Sequence, residues 1–68
     1  MPELAVEIGL KIRKSRKDKN ISQEKLALLC NIDRSYIGRI ERGEVNLTVE
    51  KLYEIASVLD ISAKELLA

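Results

Sequence analysis

The segment ISQEKLALLCNIDRSYIGRIERG (residues 21–43) constrains the fold most, because it indicates two short helices separated by only a few residues. Ser22 and Asp33 each precede a run of helical periodicity, and both residue types cap helix N-termini well. Asn31 lies between the runs, and asparagine adopts positive φ more readily than most other non-glycine residues. Gly43 is expected to end the second helix. Together these signals predict a helix-turn-helix.

The apolar residues of this segment have definite places in the predicted structure. Leu26 and Cys30 lie on the inward face of the first helix, and Cys30 is expected to behave as a small buried apolar residue. Ala27 is small enough to let the second helix cross closely. Ile37 and Ile40 are predicted to pack back onto the first helix, so the opposite face of the second helix remains exposed.

The outward face of the second helix carries polar side chains that can bond to DNA. At 100° per residue, Arg34, Ser35, Gly38 and Arg39 share an arc of about 140°. Arginine can bond bidentately to guanine O6 and N7, and serine can bond a base edge or a phosphate. We therefore expect Arg34, Ser35 and Arg39 to read bases in DNA. Gly38 would leave the middle of the arc bare, which either lets the helix sit deeper in a groove or has no function.

Composition limits the other possibilities. With 68 residues, one cysteine and no histidine, the chain (residues 1–68) is expected to form one domain without a disulfide, metal or other cofactor. A domain this small is marginally stable alone, so self-association is expected. The longest apolar run, residues 26–30, is too short to span a membrane. No secretory signal is visible, and a cytoplasmic location with no membrane partner is expected.

Positive charge is concentrated around the helix-turn-helix. Residues 11–42 carry ten basic and four acidic side chains, whereas residues 43–68 carry two basic and five acidic ones. The net charge of the whole chain is only +1. A basic central segment is typical of a DNA-facing surface, and the acidic C-terminal third should face away from phosphate.

Three further helices complete the predicted all-α, five-helix fold. The first is expected to run from Leu4 to Lys19. Thr48 is expected to cap the fourth helix, and Ser62 with Glu65 to form the capping box of a short fifth helix. The expected core positions outside the helix-turn-helix are Leu4, Ile8, Ile12, Leu52, Ile55, Ala56 and Leu59.

The last two helices, residues 49–68, carry more apolar residues than one small core can cover. A surplus of this kind usually marks an interface. The predicted dimer contacts are Val49, Tyr53, Val58, Ile61 and Leu67. The alternative is a monomer with ordinary apolar residues on its surface.

The pattern IRxxRxxxNISQxxLA…DRSYIGRIERGE…LxxIAxxLDIS, over about residues 8–67, resembles the Cro and phage-repressor type of helix-turn-helix proteins, the XRE family. The run DRSYIGRIERGEVNLT especially resembles the controller proteins that regulate restriction–modification operons. The resemblance implies a compact lambda-repressor-like fold. It also implies a homodimeric transcription regulator that binds a palindromic double-stranded DNA operator and represses by blocking RNA polymerase, or activates by touching it.

The resemblance also implies roles for individual side chains. Gln23, at the start of the motif's first helix, would bond backbone phosphate, although it could instead be an ordinary solvent-facing residue. Asn46 would be another phosphate contact. From the residues themselves, Thr48 is expected to face phosphate through the first-turn amides of its helix. Tyr36 is expected to bond a phosphate or to lie against a thymine methyl, unless it merely covers the domain edge.

A structural ion pair is implied as well. Arg16 continues the inward stripe of helix one, and in the resembled family an arginine here pairs with a glutamate late in the recognition helix, which is Glu41 in this chain. Such a pair would brace helix one against the helix-turn-helix, and removing one member should cost more than a surface pair would.

Other functions stay open at this point. The chain could be a phage-type repressor of other genes, or an antitoxin or adaptor that binds a protein through the same fold. An enzyme is not expected, because the sequence has no histidine, no paired acids in a cleft and no phosphate-binding glycine loop.

Overall fold

Five helices account for most of the chain in a computed structural model that describes the backbone of residues 2–67 and the side chains of residues 4–67. They are α1 (Pro2–Asp18), α2 (Gln23–Cys30), α3 (Arg34–Glu41), α4 (Val49–Val58) and α5 (Ala63–Leu67). No strand occurs among these residues, so the predicted all-α, five-helix fold is confirmed. Helix α1 begins two residues earlier than predicted, because proline is well tolerated in a first turn. None of the described helices is long and apolar enough to cross a membrane.

Four helices end in the same left-handed turn. A residue with positive φ follows α2 directly and follows α1, α3 and α4 after one intervening residue. In each case the next amide donates to a carbonyl five residues back at 2.9–3.0 Å. This is the Schellman arrangement, which satisfies the last carbonyls of a helix. The positive φ predicted for Asn31 is confirmed, at 59°. Gly43, which was predicted to end the second helix, follows α3 after one residue and has a φ of 77°. Asn20 and Asp60 also have positive φ, at the ends of α1 and α4, which was not predicted.

Hydroxyl side chains begin three of the helices. Ser22 Oγ accepts from an amide of the first turn of α2 at 3.0 Å, and Thr48 Oγ1 does so for α4 at 3.1 Å. The amide of Ser62 donates to Glu65 Oε2 at 3.0 Å, so the predicted capping box is present. Asp33 holds the N-cap position of α3 with extended backbone, but its carboxylate accepts no capping hydrogen bond. The position was predicted correctly and the side-chain cap was not.

The core lies between the five helices, where α3 packs on α1 and α2, α4 packs on α2 and α5, and α5 packs on α1. Ile12, Ile37 and Ile55 are wholly inaccessible to solvent, and Ile8 and Cys30 pack at the edge of this core. Leu4 is 51% exposed, so its predicted place in the core is wrong. It lines an open groove between α1 and the loop after α3 instead of the packed interior. The other buried apolar residues are Leu26, Ala27, Ile40, Leu52, Ala56, Leu59, Ala63 and Leu66.

Helix α1 approaches the C-terminal end of α3 very closely at Gly9. A Cβ atom on this buried glycine would collide with the carbonyl oxygen of Ile40 and lie 2.7 Å from that of Glu41. Because both obstacles are backbone atoms, no side-chain rotation could relieve the contact. The absence of a side chain at residue 9 therefore sets the distance between α1 and the end of α3.

Candidate nucleic-acid interface

The outward face of α3 is a polar surface on which arginine is the commonest residue. Arg34, Ser35 and Arg39 are all exposed, as expected from the helical period. They line one shallow depression together with Gln23, Gly38 and Arg42. On the reverse side of α3, Ile37 and Ile40 are buried in the core. We call the face formed by Gln23, Arg34, Ser35, Gly38, Arg39 and Arg42 the arginine surface.

Gly38 is not the bare centre that the sequence predicts. It is buried, because the side chains of Gln23 and Arg42 lie across it. A Cβ atom at Gly38 would be 3.2 Å from Arg42 Nη1 and 4.0 Å from Gln23 Oε1. The gap in the middle of the arc is therefore occupied by side chains from the neighbouring helix and from the end of α3.

A buried ion pair supports the arginine surface from behind. Arg16 Nε donates to Glu41 Oε2 at 2.7 Å and Arg16 Nη2 donates to Glu41 Oε1 at 3.0 Å, a bidentate contact. The side chains of Arg16 and Glu41 are only 9% and 3% exposed. Arg16 Nη1 also donates to the carbonyl of Ile21 at 2.9 Å. The pair thus joins α1, the start of the α2 segment and the last turn of α3.

Gln23 belongs to both the ion pair and the arginine surface. Its Nε2 donates to Glu41 Oε1 at 3.1 Å, while its Oε1 lies beside Gly38. The half-buried side chain is therefore held in one orientation at the N-terminus of α2, where backbone N–H groups favour anions. Its predicted contact with phosphate stays a prediction.

The other predicted phosphate contacts lie in different surroundings. Tyr36 is half-buried and packs against the core, whereas Asn46 is exposed in the loop between α3 and α4. Thr48 is exposed at the N-terminus of α4, and its hydroxyl accepts the capping hydrogen bond of that helix. The amides of the first turn of α4 therefore lie beside the same loop as Asn46.

Arg42 is a member of this surface that sequence reasoning missed. It comes directly after α3, four residues beyond Gly38, and this helical spacing was the available signal. Arg42 Nε donates to Glu44 Oε2 at 2.7 Å, and Arg39 Nε lies 3.9 Å from Glu44 Oε1. The hydrogen bond from Arg42 lowers the pKa of the Glu44 carboxyl, and the same bond raises the pKa of the Arg42 guanidinium.

The predicted dimer residues divide into two groups. Val49, Tyr53 and Leu67 are exposed, at 71%, 62% and 52%. Val58 and Ile61 are half-buried and pack against the core of their own chain, so less of their surface is left for a partner. The exposed apolar surface also extends onto α2 through Leu28 and Leu29. Tyr53, Leu29 and Cys30 line one open groove between α2 and α4.

Cys30 is half-buried at the edge of the core, so its predicted full burial is wrong. Burial raises the pKa of its thiol, which therefore stays protonated near neutral pH. Among the side chains of residues 4–67, no three of His, Cys, Asp or Glu lie close enough together to hold a metal ion.

Comparison with known proteins assigns the chain to a family. A sequence profile described as helix-turn-helix matches residues 12–66, which is most of the chain. The chain belongs to the XRE type of helix-turn-helix proteins. The family resemblance predicted from the sequence is thereby confirmed, and with it the membership in a group of DNA-binding transcription regulators.

Several relatives of this helix-turn-helix protein are restriction–modification control proteins. C.BamHI of Bacillus amyloliquefaciens is 43% identical over 60 residues, which cover 87% of this chain and 74% of the relative. C.MunI of a Mycoplasma species is 36% identical over 67 residues, covering 97% and 90%. The crystal structure of the controller protein C.AhdI from Aeromonas hydrophila superposes with a TM-score of 0.87 at 42% identity, covering 91% of this chain and 94% of that one.

Proposed function

We propose that this helix-turn-helix protein is a restriction–modification controller that regulates transcription as a homodimer on a palindromic operator. The observation that carries the proposal is the outward face of α3, where Arg34, Ser35 and Arg39 are exposed while the isoleucines on the reverse side are buried. A helix fixed in this way can present guanidinium groups to the major groove. The similarity to C.BamHI, C.MunI and C.AhdI supports the controller type.

The polar side chains divide between two kinds of DNA contact. Arg34, Ser35 and Arg39 would read base edges, because they lie at the centre of the exposed face of α3. The contacts that flank this face would hold phosphates and so set the position of α3 on the duplex. The flanking contacts are Gln23, Tyr36, Asn46 and Thr48.

Selection of bound duplexes from a random pool tests this function directly. The expected consensus is a palindrome whose half-site centres lie one helical turn, about 34 Å, apart. Failure to enrich any consensus would contradict sequence-specific binding, and a single unrepeated half-site would contradict the dimer. The regulated genes follow from where the consensus occurs, which also separates a controller from a phage-type repressor.

Removing either central arginine should weaken operator binding specifically. Arg34→Ala and Arg39→Ala are each expected to cost about 1–3 kcal/mol on the selected operator and much less on a random duplex. Fluorescence anisotropy at a fixed salt concentration measures both. Arg13→Ala is the matched control, because Arg13 is an exposed basic residue on α1 that does not line the arginine surface. Equal losses on operator and random duplex would contradict a base-reading role.

We place the dimer contact on the exposed apolar surface of α4 and its neighbours. Val49 and Tyr53 are one turn apart on α4, and Leu67 exposes a further apolar side chain on α5. An exposed apolar surface of this kind on a small domain is usually covered by a partner protein. A two-fold dimer would present two copies of α3 to the same side of a duplex.

Tyr53→Glu is expected to convert the dimer to a monomer, because a charged side chain would replace an aromatic ring at the centre of the contact. Sedimentation equilibrium at micromolar concentration gives the mass directly. Leu10→Glu is the control, since Leu10 is 54% exposed on α1, at a distance in sequence from α4. A dimer that persists in Tyr53→Glu but dissociates in Leu10→Glu would place the contact on α1 instead.

The remaining roles follow from the proposed binding mode. A dimer bound within a promoter would repress by covering the polymerase site, or activate by contacting RNA polymerase from an adjacent position. Both actions place the protein in the cytoplasm with the DNA. We expect the binding to need no cofactor or metal, so that protein concentration would set operator occupancy.

A further inference from the structure

Arg42 shares the exposed face of α3 although it lies just beyond the helix. It follows Gly38 by four residues and Arg34 by eight, so these three residues lie on the same side of α3. Its side chain is 60% exposed. The proposed base and phosphate contacts do not include it, yet it borders the same depression as Arg34, Ser35 and Arg39.

The two edges of the Arg42 guanidinium have different surroundings. Its Nε is engaged by Glu44 Oε2 at 2.7 Å, on the side of the loop that follows α3. Its Nη1 lies over Gly38, 3.2 Å from where a Cβ atom would be, on the arginine surface. Among the side chains of residues 4–67 and the carbonyls of residues 2–67, which the structure describes, none accepts a hydrogen bond from either Nη group. The outer edge of the guanidinium is therefore available to a ligand.

An arginine held in this way offers two parallel N–H donors in a fixed plane. That edge matches a pair of acceptor atoms, and DNA provides such pairs as guanine O6 and N7 or as two oxygens of one phosphate. A freely rotating arginine would lose side-chain entropy on binding, whereas one already held by a carboxylate loses less.

The position of Glu44 is unusual for a surface that meets DNA. The phosphates of DNA repel a carboxylate. An acidic residue here therefore weakens binding unless it positions a neighbouring basic side chain. Glu44 has two such neighbours, because one oxygen accepts from Arg42 and the other lies 3.9 Å from Arg39 Nε. Its carboxylate thus holds one arginine directly and lies close to a second.

We propose that Arg42 is a further DNA-contacting residue and that Glu44 is its positioning residue. The inference rests on the proposed DNA-binding function. Glu44 fixes Nε, the absence of a side chain at Gly38 leaves room for the guanidinium, and the two Nη groups engage paired acceptors on the duplex. The affinity of the operator complex then depends on a contact between Glu44 and Arg42 that already exists in the free protein.

The first test measures Arg42→Ala against Arg13→Ala, with the selected operator and a random duplex at several salt concentrations. A guanine contact predicts a loss of roughly 5- to 150-fold on the operator only, with relaxed preference at one base pair. A phosphate contact predicts a loss on both duplexes and a salt slope lower by about 1. A loss no larger than that of Arg13→Ala would overturn the assignment of Arg42.

The second test isolates Glu44. Glu44→Gln and Glu7→Gln remove the same charge from exposed positions, so general electrostatics predicts that both raise DNA affinity alike. Positioning predicts that Glu44→Gln lowers operator affinity severalfold relative to Glu7→Gln, and that this difference vanishes in an Arg42→Ala background. Equal effects of the two substitutions, or a difference that survives without Arg42, would overturn the positioning role. If the wild type shows no salt-dependent duplex binding, the proposed function itself has failed.

Discussion

Glu41→Ala is expected to lower the free energy of unfolding by about 3–5 kcal/mol, because it leaves the buried Arg16 guanidinium without its partner. Arg16 is 7% exposed, and two of its three hydrogen bonds go to Glu41. The substitution also removes the acceptor of Gln23 Nε2. A small domain has roughly 5 kcal/mol of stability at the low end of the usual range, so this loss should leave much of the protein unfolded at 37 °C.

Urea unfolding followed by circular dichroism measures this change. Glu24→Ala is the control, because Glu24 is an exposed acid on α2, and it should change stability by no more than about 0.5 kcal/mol. Replacing both buried partners, as Arg16→Met with Glu41→Leu, should recover most of the loss, since no unpaired charge remains. Unchanged stability in Glu41→Ala would show that the ion pair does not brace α1 against the helix-turn-helix.

Gly9→Ala is expected to destabilise the fold by about 1–3 kcal/mol or more, although alanine favours helices over glycine. The new methyl group would meet the carbonyl oxygens of Ile40 and Glu41, which are backbone atoms at the end of α3. Helix α1 must therefore move away from α3. The melting temperature should fall by about 4–8 °C for each kcal/mol in a domain of this size.

Gly38→Ala provides a comparison in which the same substitution should have the opposite sign. A Cβ atom there meets side-chain atoms and no backbone, with Arg42 Nη1 at 3.2 Å and Gln23 Oε1 at 4.0 Å. A shift of a few tenths of an ångström at the end of Arg42 accommodates it, so the helix propensity of alanine should prevail. We expect a gain of up to about 1 kcal/mol in stability. A Gly9→Ala protein that melts at or above the wild-type temperature would contradict the close approach of α1 and α3.

Features that depend on a few neighbouring residues could be predicted from the sequence. The hydroxyl caps at Ser22 and Thr48, the positive φ of Asn31 and the exposed face of α3 all follow from local spacing and side-chain chemistry. The buried isoleucines of α3 follow from the same period. These features make up the helix-turn-helix itself, and so the fold could be identified from the sequence alone.

Features that depend on contacts between distant segments could not be predicted in this way. The role of Gly9 depends on where α1 crosses α3, and the burial of Gly38 depends on how two long side chains settle across it. Leu4 has the helical spacing of a core residue, but it lies on an open groove rather than in the packed interior. The contact between Arg42 and Glu44 forms where the chain turns at Gly43, beyond the reach of a helical pattern.

Gln23 contacts both the buried ion pair and the arginine surface, and this limits how the protein could be redesigned to bind a new operator. One end of its amide binds the carboxylate that holds Arg16, and the other end borders the arginine surface. A substitution at residue 23 would therefore disturb anchoring and recognition together. Arg34 and Ser35 make no side-chain hydrogen bond to other residues of the described chain, so libraries varied at those two positions should yield altered base preferences in proteins that still fold.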